Sequence, residues 1–157
     1  MKNRFAAPVA SAATALMLLG ACSDAGPTTL AKGEDVELVG DTDLGGQTLN
    51  ISAEEEDGKV TGELRSSDPG GEVVVTVECA DTDTDGVVIL GGTVSEAGEY
   101  SGLVALFIRE GDPDSVAIWA DEGENGSCAE LLQNRQDVLD DDSLFVDVED
   151  GSEIETG

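Results

Sequence analysis

The sequence predicts an all-β fold, an antiparallel barrel or sandwich of about seven or eight short strands with one short helical segment. Three observations carry that prediction. Apolar residues recur at every second position through much of residues 49–148, which is the period of a strand with one face on a core. Breaker clusters of Gly, Pro, Asp and Ser interrupt the pattern every 8–12 residues or so. No long helical pattern alternates with these strands, so an α/β architecture is not expected.

The first hairpin is the plainest. Leu49, Ile51 and Ala53 alternate with polar residues, and Glu56-Asp57-Gly58 makes a turn. Val60, Gly62 and Leu64 then take the inner face of the returning strand. The breakers Ser66-Ser67-Asp68-Pro69-Gly70-Gly71 lead to Val73, Val75 and Val77. By strict alternation Cys79 points inward with these valines. Val87–Val94 is apolar on both faces and reads as a central strand, with Gly91-Gly92 marking a bulge or bend. Further strands are expected over 102–109 and 114–121, and Trp119 is expected to cover the second face of the sheet. Residues 129–135 fit one or two helical turns, ended by Asp140-Asp141-Asp142. Leu144, Val146 and Val148 alternate in a last strand.

The amino terminus has a different grammar. Lys2 and Arg4 precede an apolar run, Phe5–Leu19, that is short for a permanent span of about 20 residues. This is the pattern of a secretory signal peptide. Leu19-Gly20-Ala21-Cys22 resembles the bacterial lipobox. The resemblance implies a diacylglyceryl group on the Cys22 thiol, cleavage before Cys22, and anchoring at the extracytoplasmic face of the bacterial cell membrane. The expected layout is a leader over 1–21, a flexible tether over 22–35, a β domain over 36–150 and a fraying acidic tail over 151–157.

Cysteine arithmetic agrees. Three cysteines are an odd number for an exported chain. Lipidation of Cys22 leaves Cys79 and Cys128, which are expected to pair in an oxidising compartment. The loop so closed, about 50 residues, is worth roughly 4 kcal/mol in the chain-entropy model.

A second resemblance covers roughly Leu49 to Cys128. The runs VTGEL, VVVTVECADTD, GVVILGGTV and LFIREGDPDSV resemble a group of small, uncharacterised secreted β proteins found mainly in actinobacteria. That resemblance implies a β fold and a secreted life, with no assigned activity. The longer and more acidic turn at 81–86 departs from it.

Charge and composition exclude several functions. The chain carries −28, and loss of Lys2 and Arg4 with the leader makes the remainder −30. Five cations, Lys32, Lys59, Arg65, Arg109 and Arg135, face 35 acids. Nucleic acid is therefore not an expected partner, since a phosphate backbone calls for clustered Lys and Arg. An anionic lipid surface would also repel the chain, which leaves attachment to the lipid on Cys22. Histidine is absent, which removes Ser-His-Asp and Cys-His catalysis and the usual zinc ligands.

One motif stays open. Asp81-Thr82-Asp83-Thr84-Asp85-Gly86 has the opening D-x-D-x-D-G of a calcium loop. Asp81, Asp83 and Asp85 would take positions one, three and five, with Gly86 at the sharp turn and Val87 offering its carbonyl. Position twelve is Gly92 where a bidentate Glu is required, so supplementary ligands would have to come from Asp112 and Asp114 or from Asp41 and Asp43. The competing reading is an ordinary polar hairpin turn around Asp85-Gly86. The sequence leads to a non-catalytic, lipid-anchored binding or envelope-structural domain. The alternatives are a calcium-stabilised extracellular binding module and a small extracytoplasmic enzyme.

Overall fold

The computed structural model describes residues 26–41, 43–96, 102–121, 127–133 and 135–157. The leader and Cys22 lie outside the described residues. Nine strands follow in order: β1 (Thr28–Val39), β2 (Thr48–Glu56), β3 (Lys59–Asp68), β4 (Gly71–Thr82), β5 (Val88–Glu96), β6 (Leu103–Arg109), β7 (Ser115–Asp121), β8 (Val146–Val148) and β9 (Glu155–Thr156). Between β7 and β8 lie two short helices, α1 (Cys128–Gln133) and α2 (Gln136–Leu139), and a 3-10 turn, Asp142–Leu144. The single helical segment expected from sequence is thus two, split near Arg135.

Each strand from β2 to β7 pairs antiparallel with the next, and β1 pairs with both β2 and β8. The sheet therefore returns on itself as a barrel-like ring, closed unevenly. Hydrophobic alternation and local turns build the long side. In the β2–β3 hairpin both turn residues, Asp57 (φ 54°) and Gly58 (φ 76°), adopt the left-handed conformation that a tight two-residue turn demands. At the β3–β4 turn Asp68 Oδ1 accepts the N–H groups of Gly70 (2.6 Å) and Gly71 (2.9 Å). The short side is the seam at β8. It meets β7 at Ser115–Asp147 and Val116–Val146, and β1 at Leu38–Val148 and Val39–Asp147.

The sheet has two apolar faces. Inside the ring, Val36, Leu38, Leu49, Ile51, Leu90, Leu106 and Ile108 belong to one continuous core. Outside it, a smaller cluster of Val87, Ile89, Leu103, Ala105, Phe107 and Ala117 lies against Leu131 of α1 and Val138 of α2. Strand β6 is buried on both faces from Leu103 to Ile108, and β5 lacks alternation for the same reason, being buried on both faces from Val88 to Gly92. Trp119 packs on the outer cluster, as its place opposite Val116 and Ile118 predicts. No polar or charged residue is fully buried among the described residues.

Three expectations about the ends are corrected. Strand β1 begins at Thr28, so 28–35 is strand where a tether was expected. Its alternation is broken by a bulge: Ala31 and Gly33 face in, the register shifts, and Val36 and Leu38 resume. Asp35 sits at φ 49° in that bulge and its N–H donates to Asn50 Oδ1 at 3.0 Å. Leu144 is in the 3-10 turn and 44% exposed, not in the last strand. The acidic tail does not fray, because Ile154 inserts into the inner core and β9 pairs with Ala31 and Lys32 of β1.

Leu106 is fully buried at the centre of β6. Leu106→Ala should lower the unfolding free energy by about 2–5 kcal/mol, read by urea denaturation with an unchanged slope.

Candidate functional site

The chemistry-bearing residues singled out in the sequence meet where β4, β5 and the helices adjoin. Their placement depends on one irregularity. Val77 pairs with Gly92, but Cys79 pairs with Gly91, so Glu78 is an extra residue on β4. The glycine pair thus marks a bulge as expected, although the additional residue lies on the opposite strand. The bulge shifts the side-chain phase by one. Val77 points into the ring, whereas Cys79 points out, which corrects the inward orientation inferred from alternation.

Facing outward, Cys79 forms a disulfide with Cys128, the first residue of α1, across a Cα–Cα distance of 6.0 Å. The pairing expected from cysteine arithmetic is present. Gly91 makes room for it. A Cβ there would stand 2.7 Å from Cys79 Sγ and 3.1 Å from Cys128 Sγ. Gly92 fits its own strand for a similar reason, since a Cβ would strike the Thr76 carbonyl.

The same phase shift decides the fate of the acidic turn. Asp81 lies on the outer face and forms an ion pair with Arg135, at the junction of α1 and α2. Its other oxygen accepts the Thr82 N–H at 2.8 Å. Asp83 is held by backbone. Its Oδ1 accepts N–H from Asp85 (2.9 Å) and Val87 (2.7 Å), and its own N–H donates to the Val87 carbonyl at 3.0 Å. Gly86 takes φ 85°. Asp85 is exposed. These are the bonds of an Asx-type hairpin turn that satisfies its own amides. The three carboxylates do not converge, and among the described residues no group of three or more acids or cysteines is arranged to hold a metal ion. Asp114, a supplementary ligand in the calcium reading, accepts the Gly111 N–H at 2.9 Å. Asp41 and Asp43 belong to the β1–β2 loop, at the opposite end of the ring.

Between this turn and α2 is a depression of about 420 Å³. Arg109 and Arg135 stand in it among Asp83, Asp85, Asp140 and Asp142. Arg109 donates to Asp142 Oδ1 at 2.9 Å, and its guanidinium lies 3.9 Å from the centre of the Phe145 ring. Both arginines therefore fasten residues 135–145 to the sheet, one from β6 to Asp142 and one from the start of α2 to β4. Each fastening is modest. Asp142 is 87% exposed and Asp81 41%, a setting in which an ion pair contributes about 0–1 kcal/mol. The cation–π contact adds on the order of 0.5–1 kcal/mol. Sequence reading missed this role because the partners of Arg109 and Arg135 lie 33 and 54 residues away.

A like-charge contact marks the seam. Glu149 donates its N–H to the Glu37 carbonyl, and the two side chains adjoin. A hydrogen bond to the Glu37 side chain, reinforced by its charge, raises the Glu149 pKa above the ordinary carboxylate value.

No protein-family model, no curated protein and no solved structure matches this chain.

Asp83→Ala should lower stability by about 1–3 kcal/mol, since two turn amides lose their acceptor, whereas Asp85→Ala should change it by less than about 0.5 kcal/mol. Thermal melts of both variants in chelator, calcium chloride and sodium chloride at equal ionic strength check this. The wild type should gain the same Tm from either salt, as screening of a highly charged surface requires. Glu149→Gln tests the seam. A raised folded-state pKa favours the fold fully below the unfolded pKa, and the benefit is lost as pH rises through the folded one. The variant should therefore be more stable than wild type at neutral pH, and the difference should vanish on acidification below the usual carboxylate range. Tm against pH reads it.

Proposed function

We propose that the protein is a lipid-anchored extracytoplasmic lipoprotein of a bacterial cell membrane, and that its β domain is a non-catalytic binding or envelope-structural module. The observation that carries the reading is the run from Lys2 to Cys22, a basic start and an apolar stretch closed by Leu19-Gly20-Ala21-Cys22. Bonding of Cys79 to Cys128 supports it, because Cys22 is then the one cysteine of three left for acylation. A disulfide is also what an oxidising compartment maintains.

The start of β1 refines the geometry. Thr28 follows Cys22 by six residues, so the connection reaches about 20 Å at full extension. A ring of strands tied so closely stands at the membrane surface. Its net charge of −30 after cleavage opposes contact with anionic headgroups, which makes the covalent lipid the source of attachment. Two acyl chains on one residue suffice for stable retention.

Metabolic labelling with a clickable fatty acid, followed by membrane fractionation, tests the proposal. Wild-type chain should be labelled and sediment with membranes. Cys22→Ser should lose the label and move to the soluble fraction. A wild-type chain that is exported, unlabelled and soluble would discard the anchor.

A further inference from the structure

We infer that residues 127–133 and 135–145 form a redox-controlled cover over the outer apolar face of the sheet, released when the Cys79–Cys128 bond is reduced while the ring of strands persists. The inference concerns the outer face and does not depend on the lipid anchor.

The cover holds little of itself in place. Helix α1 has six residues and α2 four, lengths at which an isolated helix does not persist in water. A capping box starts α1: Ser127 donates its N–H to Glu130 Oε2 at 2.9 Å, and Glu130 returns its N–H to Ser127 Oγ at 3.3 Å. Yet each helix buries one side chain fully, Leu131 and Val138. The ion pairs from Arg109 and Arg135 are solvent-exposed at their acidic ends. The covalent bond is what ties the start of α1 to β4, in a seat left open by Gly91.

The ring, by contrast, does not use the cover. No described residue of 127–145 belongs to the inner core, whose carboxy-terminal members among the described residues are Val146, Val148 and Ile154. Strand β8 is held by its own pairing to β1 and β7. Opening would uncover Ile89, Leu103, Ala105 and Phe107 without removing an interior contact. Both cysteines are half-buried. The reductant would be a dithiol. One of its thiolates attacks a sulfur of the bond and forms a mixed disulfide. Its second thiol resolves that intermediate, leaving an oxidised dithiol and two protein thiols.

Trp119, the single tryptophan, packs on the covered cluster and reports on the cover. The full chain carrying Cys22→Ser, with Cys79 and Cys128 as its two cysteines, would be compared oxidised and in dithiothreitol. Thiol titration, Trp119 emission and hydrogen exchange are read together. Reduction should free two thiols, shift the Trp119 emission to the red, and speed exchange over 128–139 by about tenfold or more, with β2–β4 still protected. Reoxidation should restore each signal, and the Cys79→Ala/Cys128→Ala double variant should match the reduced state. The inference is overturned if exchange accelerates throughout the chain, because the bond then staples the whole fold. It is equally overturned if two thiols appear with Trp119 unchanged, or if the bond resists dithiothreitol under native conditions.

Discussion

The side-chain period of a strand is two, so one extra residue reverses every assignment beyond it. Glu78 is that residue in β4. Before it, Val75 and Val77 fill the ring; after it, Cys79 and Asp81 turn to the outside, where α1 and Arg135 receive them. Without the slip, a cysteine and a carboxylate would enter an all-apolar interior. The disulfide, the ion pair to Arg135 and the docking of the helices all follow from it. Glycine at 91 and 92 is the complementary requirement on β5, one residue clearing the two sulfurs and the other the Thr76 carbonyl.

A second constraint is the division of labour between two apolar clusters. The ring interior is closed by strands that pair along most of their length, whereas the outer face of β5–β7 is closed by a short helical segment with few deep contacts. Local stability is therefore uneven by construction. The ring should open last, and the cover first. This also distributes the charge. Acids occupy turns and outward strand positions, and two of the few cations, Arg109 and Arg135, stand where the cover meets the sheet. The resulting depression is a fastening between elements.

The acidic turn shows how the same residue types suit two different local roles. An Asp at the start of a tight loop can ligate a cation or accept backbone amides, and the residue types are the same for both. Here Asp83 accepts the amides of Asp85 and Val87, and Asp81 is committed to an arginine. The turn is complete with protein atoms alone. Its similarity to a calcium loop arises because both need a chain reversal lined with oxygen and a glycine in the left-handed region.

Period and punctuation in the sequence alone determined the all-β class, the β2–β3 hairpin, the doubly buried β5 and the outward place of Trp119, because these depend on neighbours within a few residues. Counting cysteines likewise sufficed for the Cys79–Cys128 bond. Tertiary structure decided the rest. Bulges near Asp35 and at Glu78 break the period, so β1 looked like a tether and Cys79 looked inward. Strand β9 carries too few residues to show a pattern, and it exists because Ile154 finds a place in the core beside β1. The pairing of Asp81 with Arg135, and of Arg109 with Asp142 and Phe145, joins residues far apart in the chain. Such contacts leave no local signature, because they are set by how the sheet closes and where the cover lies on it.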